Sequence, residues 1–293
     1  MDQSPNAVAV IGSDGFLGGH LVRALERARR TVASFTLDVP FDLGERLDPA
    51  VESARTIFWL ASTINPQIAT ESPERVAADR AVFERLFEGL ERASVSPTIV
   101  LLSSGGTVYD PKAEPPYRED SPLAPLSAYG QAKVAFEELM TQRAPGKSVA
   151  VRVANAYGPG QHPAAGQGVI AYWMAAALEG KPVTMMGEPT NARDYVFATD
   201  IAEALVAIDG CEPDILPSKV NVGSGQATSL QQLADTLAAV IAPRPLEVLH
   251  QPSRSFDVKR TWLSIDRAAD VLGWKPRISL HEGLSQTWAA LQR

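Results

Sequence analysis

The chain has 293 residues, 45% hydrophobic and 21% charged, a balance that suits a folded protein with a sizeable core and excludes the disordered and fibrous classes. Its formal net charge of -7 argues against nucleic acid and anionic membrane surfaces as partners. Cys211 is the single cysteine, residues 1–7 carry no signal-peptide pattern, and the longest apolar run, residues 169–178, falls short of a membrane span, so a cytoplasmic protein is expected.

In chain order, residues 7–11 read as a first strand that runs straight into Gly12, Gly15, Phe16, Leu17 and Gly18, a GxxGxxG turn opening an amphipathic helix over 16–29. Glycine there permits a tight turn and close backbone approach, and the helix amino end offers unpaired N–H donors, so the turn predicts dinucleotide binding. A second strand is expected at 32–36. A Rossmann fold places an acid near that strand's end to hold the adenosine ribose; Asp38 is the candidate, with Thr36 at the strict position. No Lys or Arg follows until Arg46, which favours NAD over NADP.

Further strands are expected at 56–60, 98–103 and 148–153, with helices over 73–93 and 128–143 between them. The helix at 128–143 carries Tyr129 and Lys133 four apart, on one face. Tyrosine is a base at neutral pH only where a nearby ammonium and an oxidised nicotinamide favour its phenolate. The pair follows a strand ending in Ser103-Ser104-Gly105-Gly106-Thr107-Val108-Tyr109, whose hydroxyls can reach the same substrate oxygen.

After Asn155, the glycines and prolines crowded between Gly158 and Gly168 break the regular alternation. Residues 195–197 and 219–222 are expected to return as strands to the main sheet, and 230–241 and 265–272 to be helical. The pattern predicts an α/β fold: a Rossmann-type doubly wound parallel sheet in a domain over 1–155, with returning segments at about 193–225. A smaller, discontinuous C-terminal substrate-binding lobe takes 156–192 and 226–293. Four scattered histidines without an HxxxH pair predict no metal site.

These motifs, in this order, resemble the extended short-chain dehydrogenase/reductase family, specifically its NAD-dependent nucleoside-diphosphate-sugar epimerases and dehydratases. Beyond the glycine turn, Ser103–Tyr109 and Tyr129–Lys133, the resemblance includes Phe41-Asp42-Leu43, Phe58-Trp59-Leu60-Ala61 and Arg152–Asn155 leading into Tyr157-Gly158-Pro159-Gly160-Gln161. It continues through Arg193-Asp194-Tyr195-Val196 to Asp200, then Asn221–Gly225 and Leu272-Gly273-Trp274-Lys275-Pro276.

The resemblance implies that Asp42, Leu43, Leu60, Ala61, Ser62 and Ser103 join the turn, Tyr129 and Lys133 in holding NAD. It implies that Asn155, Arg193 and Arg254 hold the diphosphate of a nucleoside-diphosphate sugar, with Gly168, Val169 and Met185 also in the substrate site. A homodimer through a four-helix contact is implied too; Val82, Phe83, Leu86, Phe136 and Met140 are apolar positions on more than one face of the helices concerned.

Five positions depart from the family pattern. The assisting hydroxyl falls at Gly105, so Thr107 is taken as its substitute, on the same face by strand alternation, with Ser104 second. The acid pair of the dehydratases is absent at Gly106 and Thr107, which argues against a dehydratase. Trp59 stands where a histidine is common and Asp79 where an asparagine is usual. The expected activity is an NAD-dependent sugar-nucleotide 4-epimerase passing through a 4-keto intermediate. The alternatives are a reductase of nucleotide-linked 4-keto-deoxysugars and, more remotely, a non-catalytic dinucleotide-binding sensor.

Overall fold

The computed structural model describes residues 7–163, 168–252 and 259–293. Its first half alternates strands β1 (Ala7–Ile11), β2 (Thr31–Phe35), β3 (Thr56–Trp59), β4 (Thr98–Ser104) and β5 (Ser148–Val153) with helices α1 (Phe16–Arg27), α2 (Pro49–Glu52), α3 (Pro66–Glu71), α4 (Pro73–Ala93) and α5 (Ala128–Arg143). There follow β6 (Asn155–Tyr157), α6 (Val169–Leu178), β7 (Val183–Met186), β8 (Ala192–Arg193), β9 (Tyr195–Phe197), α7 (Ala198–Gly210) and β10 (Lys219–Val222). The chain ends with β11 (Thr228–Ser229), α8 (Leu230–Ile241), β12 (Val248–Gln251), β13 (Arg260–Thr261), α9 (Asp266–Leu272) and α10 (Leu280–Leu291).

The central sheet has six strands in the order β10-β5-β4-β3-β1-β2, every neighbouring pair parallel. Both faces are covered, which is why its inner strands are apolar almost throughout. In β1 the alternation is explicit. Ala9 and Ile11 face a core shared with Phe83, Leu86 and Leu139 of α4 and α5, while Val8 and Val10 face a second core with Leu21, Leu25 and Leu205 of α1 and α7. Each of these side chains larger than alanine contributes about 1.5–3 kcal/mol when fully buried. From β1 the chain passes to β2 on one side and then returns to β3 on the other. The carboxyl ends of β1 and β3 therefore open a crevice of the kind where doubly wound sheets bind ligands.

Residues 195–197 do form a strand, but it does not return to the main sheet. The edge beyond β5 is taken by β10, with Val220 opposite Val151, so β9 pairs instead with β6, Asn155 opposite Tyr195. Strand β2 stops at Phe35, leaving Thr36 in the following turn. A third core gathers Trp173, Met174, Val183, Leu233, Leu237, Leu284 and Trp288 from α6, β7, α8 and α10. Phe83, Leu86, Phe136 and Met140 all lie in the first core, with Val82 packed against it, so these residues serve the sheet and lend no support to a contact between copies. Among the described residues no helix is long and apolar enough to cross a membrane.

Candidate active site

Gly12 leaves β1 with a φ of 90°, and the N–H groups of Gly12 and Ser13 both donate to the Phe35 carbonyl, at 2.9 and 3.1 Å. This ties the turn to the end of β2. A Cβ at residue 12 would lie 2.6 Å from the Ala61 nitrogen and 2.9 Å from the Leu60 carbonyl carbon, so the chain leaving β3 passes too close for any side chain there. Gly18, on the first turn of α1, packs against the Gly12 carbonyl oxygen just as closely. Helix α1 begins at Phe16 with Gly15 as an extended N-cap, without a side-chain cap and without an acid in its first turn. Its leading amides can therefore meet an anion, so the cradle fits a dinucleotide pyrophosphate.

The start of α5 is set by Ser127, whose Oγ accepts the Gly130 N–H at 3.1 Å. Gly130 lies so close to the Thr107 carbonyl that a Cβ there would collide with it, which presses the first turn of α5, and Tyr129 with it, onto the end of β4. Lys133 is buried one turn further on. Its Nζ donates to the Leu102 carbonyl at 3.2 Å and sits 5.5 Å from the Tyr129 ring centre. Thr107 Oγ1 donates to Ser104 Oγ at 2.9 Å. Strand β4 ends at Ser104, and residues 105–107 form a turn, so it is this turn rather than strand alternation that brings Thr107 beside Ser104.

Ser103 hydrogen-bonds away from that hydroxyl pair, donating to Glu137 Oε1 at 2.5 Å. Glu137 receives Arg152 NH2 at 2.7 Å and Nε at 3.0 Å, while Arg152 NH1 reaches the Glu119 carbonyl at 3.2 Å. The Arg152 side chain is fully buried, yet hydrogen bonds and charge from Glu137 outweigh its desolvation and push its pKa up. Tyr129, Lys133 and Glu137 thus share one helix face at four-residue spacing, a signal present in the sequence that the reading of Tyr129 and Lys133 alone passed over.

Ser104, Thr107 and Tyr129 open into a cavity of about 800 Å³ that Asn155, Gly168, Val169 and Arg193 also line, and Leu17 carries its wall to the glycine turn. Asn155 donates through both its backbone N–H and Nδ2 to the Asp194 carbonyl, at 3.0 and 2.9 Å. Asp194 itself accepts from Ser224 N and Oγ, Gly225 N and Leu263 N, while Arg193 makes no ion pair among the described residues. The adjacent acid is structural, and the arginine keeps its charge for the cavity.

Met185 does not line the cavity. The alternation of β7 turns it into the core, and its neighbours Thr184 and Met186 face the site instead. Trp173 is buried and also borders the cavity, with its Nε1 donating to the Thr184 carbonyl at 2.9 Å. Arg254 lies outside the described residues.

On the dinucleotide side, Thr36 Oγ1 accepts the N–H groups of Asp38 and Val39, at 3.2 and 3.1 Å, and so shapes the turn that carries an exposed Asp38. Asp42 accepts Arg85 Nε at 2.8 Å and Gly44 N at 2.9 Å, with Leu43 exposed beside it. Asp79 explains its own departure from pattern: its carboxylate accepts from Ser62 Oγ, Thr63 N and Thr63 Oγ1, holding the loop after β3. Trp59 packs its ring between Phe41 and Phe83, with centroids 5.5 and 4.5 Å away.

Residues 8–223 match the NAD dependent epimerase/dehydratase family. The chain belongs to that family. Among its curated relatives, the UDP-glucose 4-epimerase of Mycolicibacterium smegmatis is 34% identical over 235 residues, covering 79% of this chain and 74% of the relative. The dTDP-4-dehydro-6-deoxyglucose reductase of Escherichia coli is 29% identical over 321 residues, 98% of each chain. Among solved structures, MoeE5 in complex with UDP-glucose and NAD superposes with a TM-score of 0.85 at 30% identity, covering 98% of both chains. Members of this family are enzymes, and the glycine cradle, the Tyr129 and Lys133 pair and the cavity occupy one continuous face of the molecule, above the carboxyl ends of β1, β3 and β4.

Proposed function

We propose that this chain is a nucleotide-sugar 4-epimerase that passes through a transient 4-keto sugar. The reading is carried by one arrangement: Tyr129 and the Thr107 and Ser104 hydroxyls share the cavity with Arg193, which has no ion-pair partner among the described residues. Arg193 suits a diphosphate because a guanidinium fork matches phosphate oxygens. A sugar linked to that diphosphate then reaches the hydroxyl group.

The glycine cradle at residues 12–18 fits NAD, which when bound supplies a hydride acceptor and donor. Tyr129 takes the proton of the sugar 4-hydroxyl and later returns it to the 4-keto oxygen, so no net proton is consumed. Lys133 places its ammonium beside the Tyr129 ring, and Thr107, backed by Ser104, hydrogen-bonds the reacting oxygen. The cavity volume, about 800 Å³, leaves a 4-keto sugar room to turn while its diphosphate stays on Arg193. Preference for NAD over NADP is supported by the exposed Asp38 and by the absence of Lys and Arg from residues 36–45.

A second reading, reduction of a nucleotide-linked 4-keto-deoxysugar, is favoured by the full-length similarity to the E. coli reductase and would use the same residues in one direction. The two separate when purified protein is incubated with sugar nucleotides and their 4-keto derivatives, with and without added cofactor, and products are followed by NMR. Formation of the 4-epimer without added reductant supports the epimerase. A strict requirement for reduced cofactor overturns it.

A further inference from the structure

On the side of the cavity built by α6, β7 and α8 stands a polar side chain that neither the Tyr129 chemistry nor the Arg193 anchor uses. Asn191 lines the cavity while keeping only 7% of its surface exposed. Its backbone is engaged on both sides: the N–H donates to the Glu188 carbonyl and the carbonyl accepts Leu230 N, both at 2.9 Å. Its side-chain amide hydrogen-bonds nothing among the described residues. The side-chain polar atoms there that are both sealed and unpaired are Arg55 Nε, the Tyr117 hydroxyl and Asp209 Oδ1. The unpaired Asn191 amide therefore keeps an open side, and the space it borders is the cavity.

Strand alternation sets its aim. Ala192, in β8, is buried and off the cavity wall, so Asn191 and Arg193 on either side of it share the face that borders the cavity. Two residues of extended chain, roughly 7 Å, separate them. Past Arg193 the chain runs into β9, which pairs with β6 just beyond the end of β5. Asn191 lies the other way, where Leu230, Trp173 and Met186 make the wall apolar. A ligand with its diphosphate on Arg193 and its sugar at Tyr129 therefore carries its nucleoside toward Asn191. The ribose is bonded directly to the diphosphate and offers two neighbouring hydroxyls, each both donor and acceptor, which the oxygen and nitrogen of one amide match. A buried amide without such a partner is unfavourable, and nothing in the fold accounts for an asparagine there.

We propose that the Asn191 side-chain amide is a specificity-determining substrate contact that hydrogen-bonds the ribose diol of the nucleoside diphosphate, selecting a ribonucleotide over its deoxy counterparts. The assignment rests on the nucleotide-sugar reading above.

The test is calorimetric binding to the whole chain in the presence of NAD, using UDP, GDP, the 2′,3′-dideoxy forms of both, and dTDP. It compares wild type with Asn191→Leu, which keeps the volume and removes the amide. Wild type is expected to bind its preferred ribonucleotide about ten-fold or more tighter than the dideoxy form. Asn191→Leu should weaken that ribonucleotide by about ten-fold and change the dideoxy form by less than about two-fold. Equal wild-type affinity for the two forms overturns the proposal, a result that needs no variant to fold. A preference unchanged in Asn191→Leu also overturns it, whether neither form weakens or both weaken alike through a contact to phosphate or base. If wild type binds dTDP but neither UDP nor GDP, the proposal falls while the nucleotide-sugar reading stands. Binding of none of the five ligands overturns both.

Discussion

Leu263 fills the space that a side chain on residue 105 would need: a Cβ there would fall 2.5 Å from Leu263 Cδ1 and 3.1 Å from the Arg152 carbonyl oxygen. Leu263 is held in place by its N–H on Asp194 Oδ2 at 3.2 Å and by the bridge to Tyr117. The missing hydroxyl is therefore a matter of shape and not of one residue. Gly105→Ser should destabilise the protein by about 1–3 kcal/mol through overpacking and should not raise kcat. Combined with Leu263→Ala, the loss should be smaller than the sum of the two single losses, measured by urea unfolding. Strict additivity would remove the steric coupling.

Removing the Tyr129 hydroxyl and removing the Thr107 hydroxyl should have unequal effects. Tyr129→Phe takes away the group assigned to move the proton, and kcat should fall about 10²–10⁴-fold while NAD binding is retained. Thr107→Val keeps the volume but deletes the donor to Ser104 Oγ, and kcat should fall by only about ten-fold. Steady-state kinetics with fluorescence titration of the cofactor would check both, and full activity in Tyr129→Phe would sink the assignment.

Much of this was legible in the chain. Val8 and Val10 against Ala9 and Ile11 announce a strand buried on both faces, and the spacings at Gly12–Gly18 and Tyr129–Lys133 name their elements because local geometry sets both. What was hidden depends on residues distant in sequence. The partner of Tyr195–Phe197 is decided by β10 having taken the sheet edge, which three residues cannot reveal. Met185 and Met186 differ by one step of alternation, and only the packed lobe tells which faces inward. Tyr117 belongs to no periodic pattern at all. Its place is set by the bridge to Leu263 and the stacking on Tyr109, both distant in the chain or out of period.

Glu137 and Arg152 form a buried ion pair under the Lys133 helix, and breaking it should be costly. Glu137→Ala leaves the Arg152 guanidinium, whose side chain is fully buried, without its counter-charge, and should lower stability by about 3–5 kcal/mol in guanidinium unfolding. Replacing both partners, Glu137→Leu with Arg152→Met, should recover most of that loss because no unpaired charge remains. If the single variant loses less than about 1 kcal/mol, the pair is not holding the helix.

His20 ties α1 to the loop after β6 by donating from Nε2 to the Pro159 carbonyl at 2.9 Å. Burial lowers its pKa below the ordinary 6.5; the Pro159 hydrogen bond opposes this, while the charges of Arg23 and Arg27 lower it further. The sign follows from linkage: the folded protein holds the ring neutral, while the unfolded chain accepts a proton as pH falls through 6.5. The neutral ring costs nothing above that pH, and stability is lost as pH drops from 6.5 toward the lower folded value. Urea unfolding of wild type and His20→Gln at a series of pH values should show wild type losing stability faster than the variant across that window. Parallel profiles would mean that His20 titrates alike in both states and contributes nothing to the acid sensitivity of the fold.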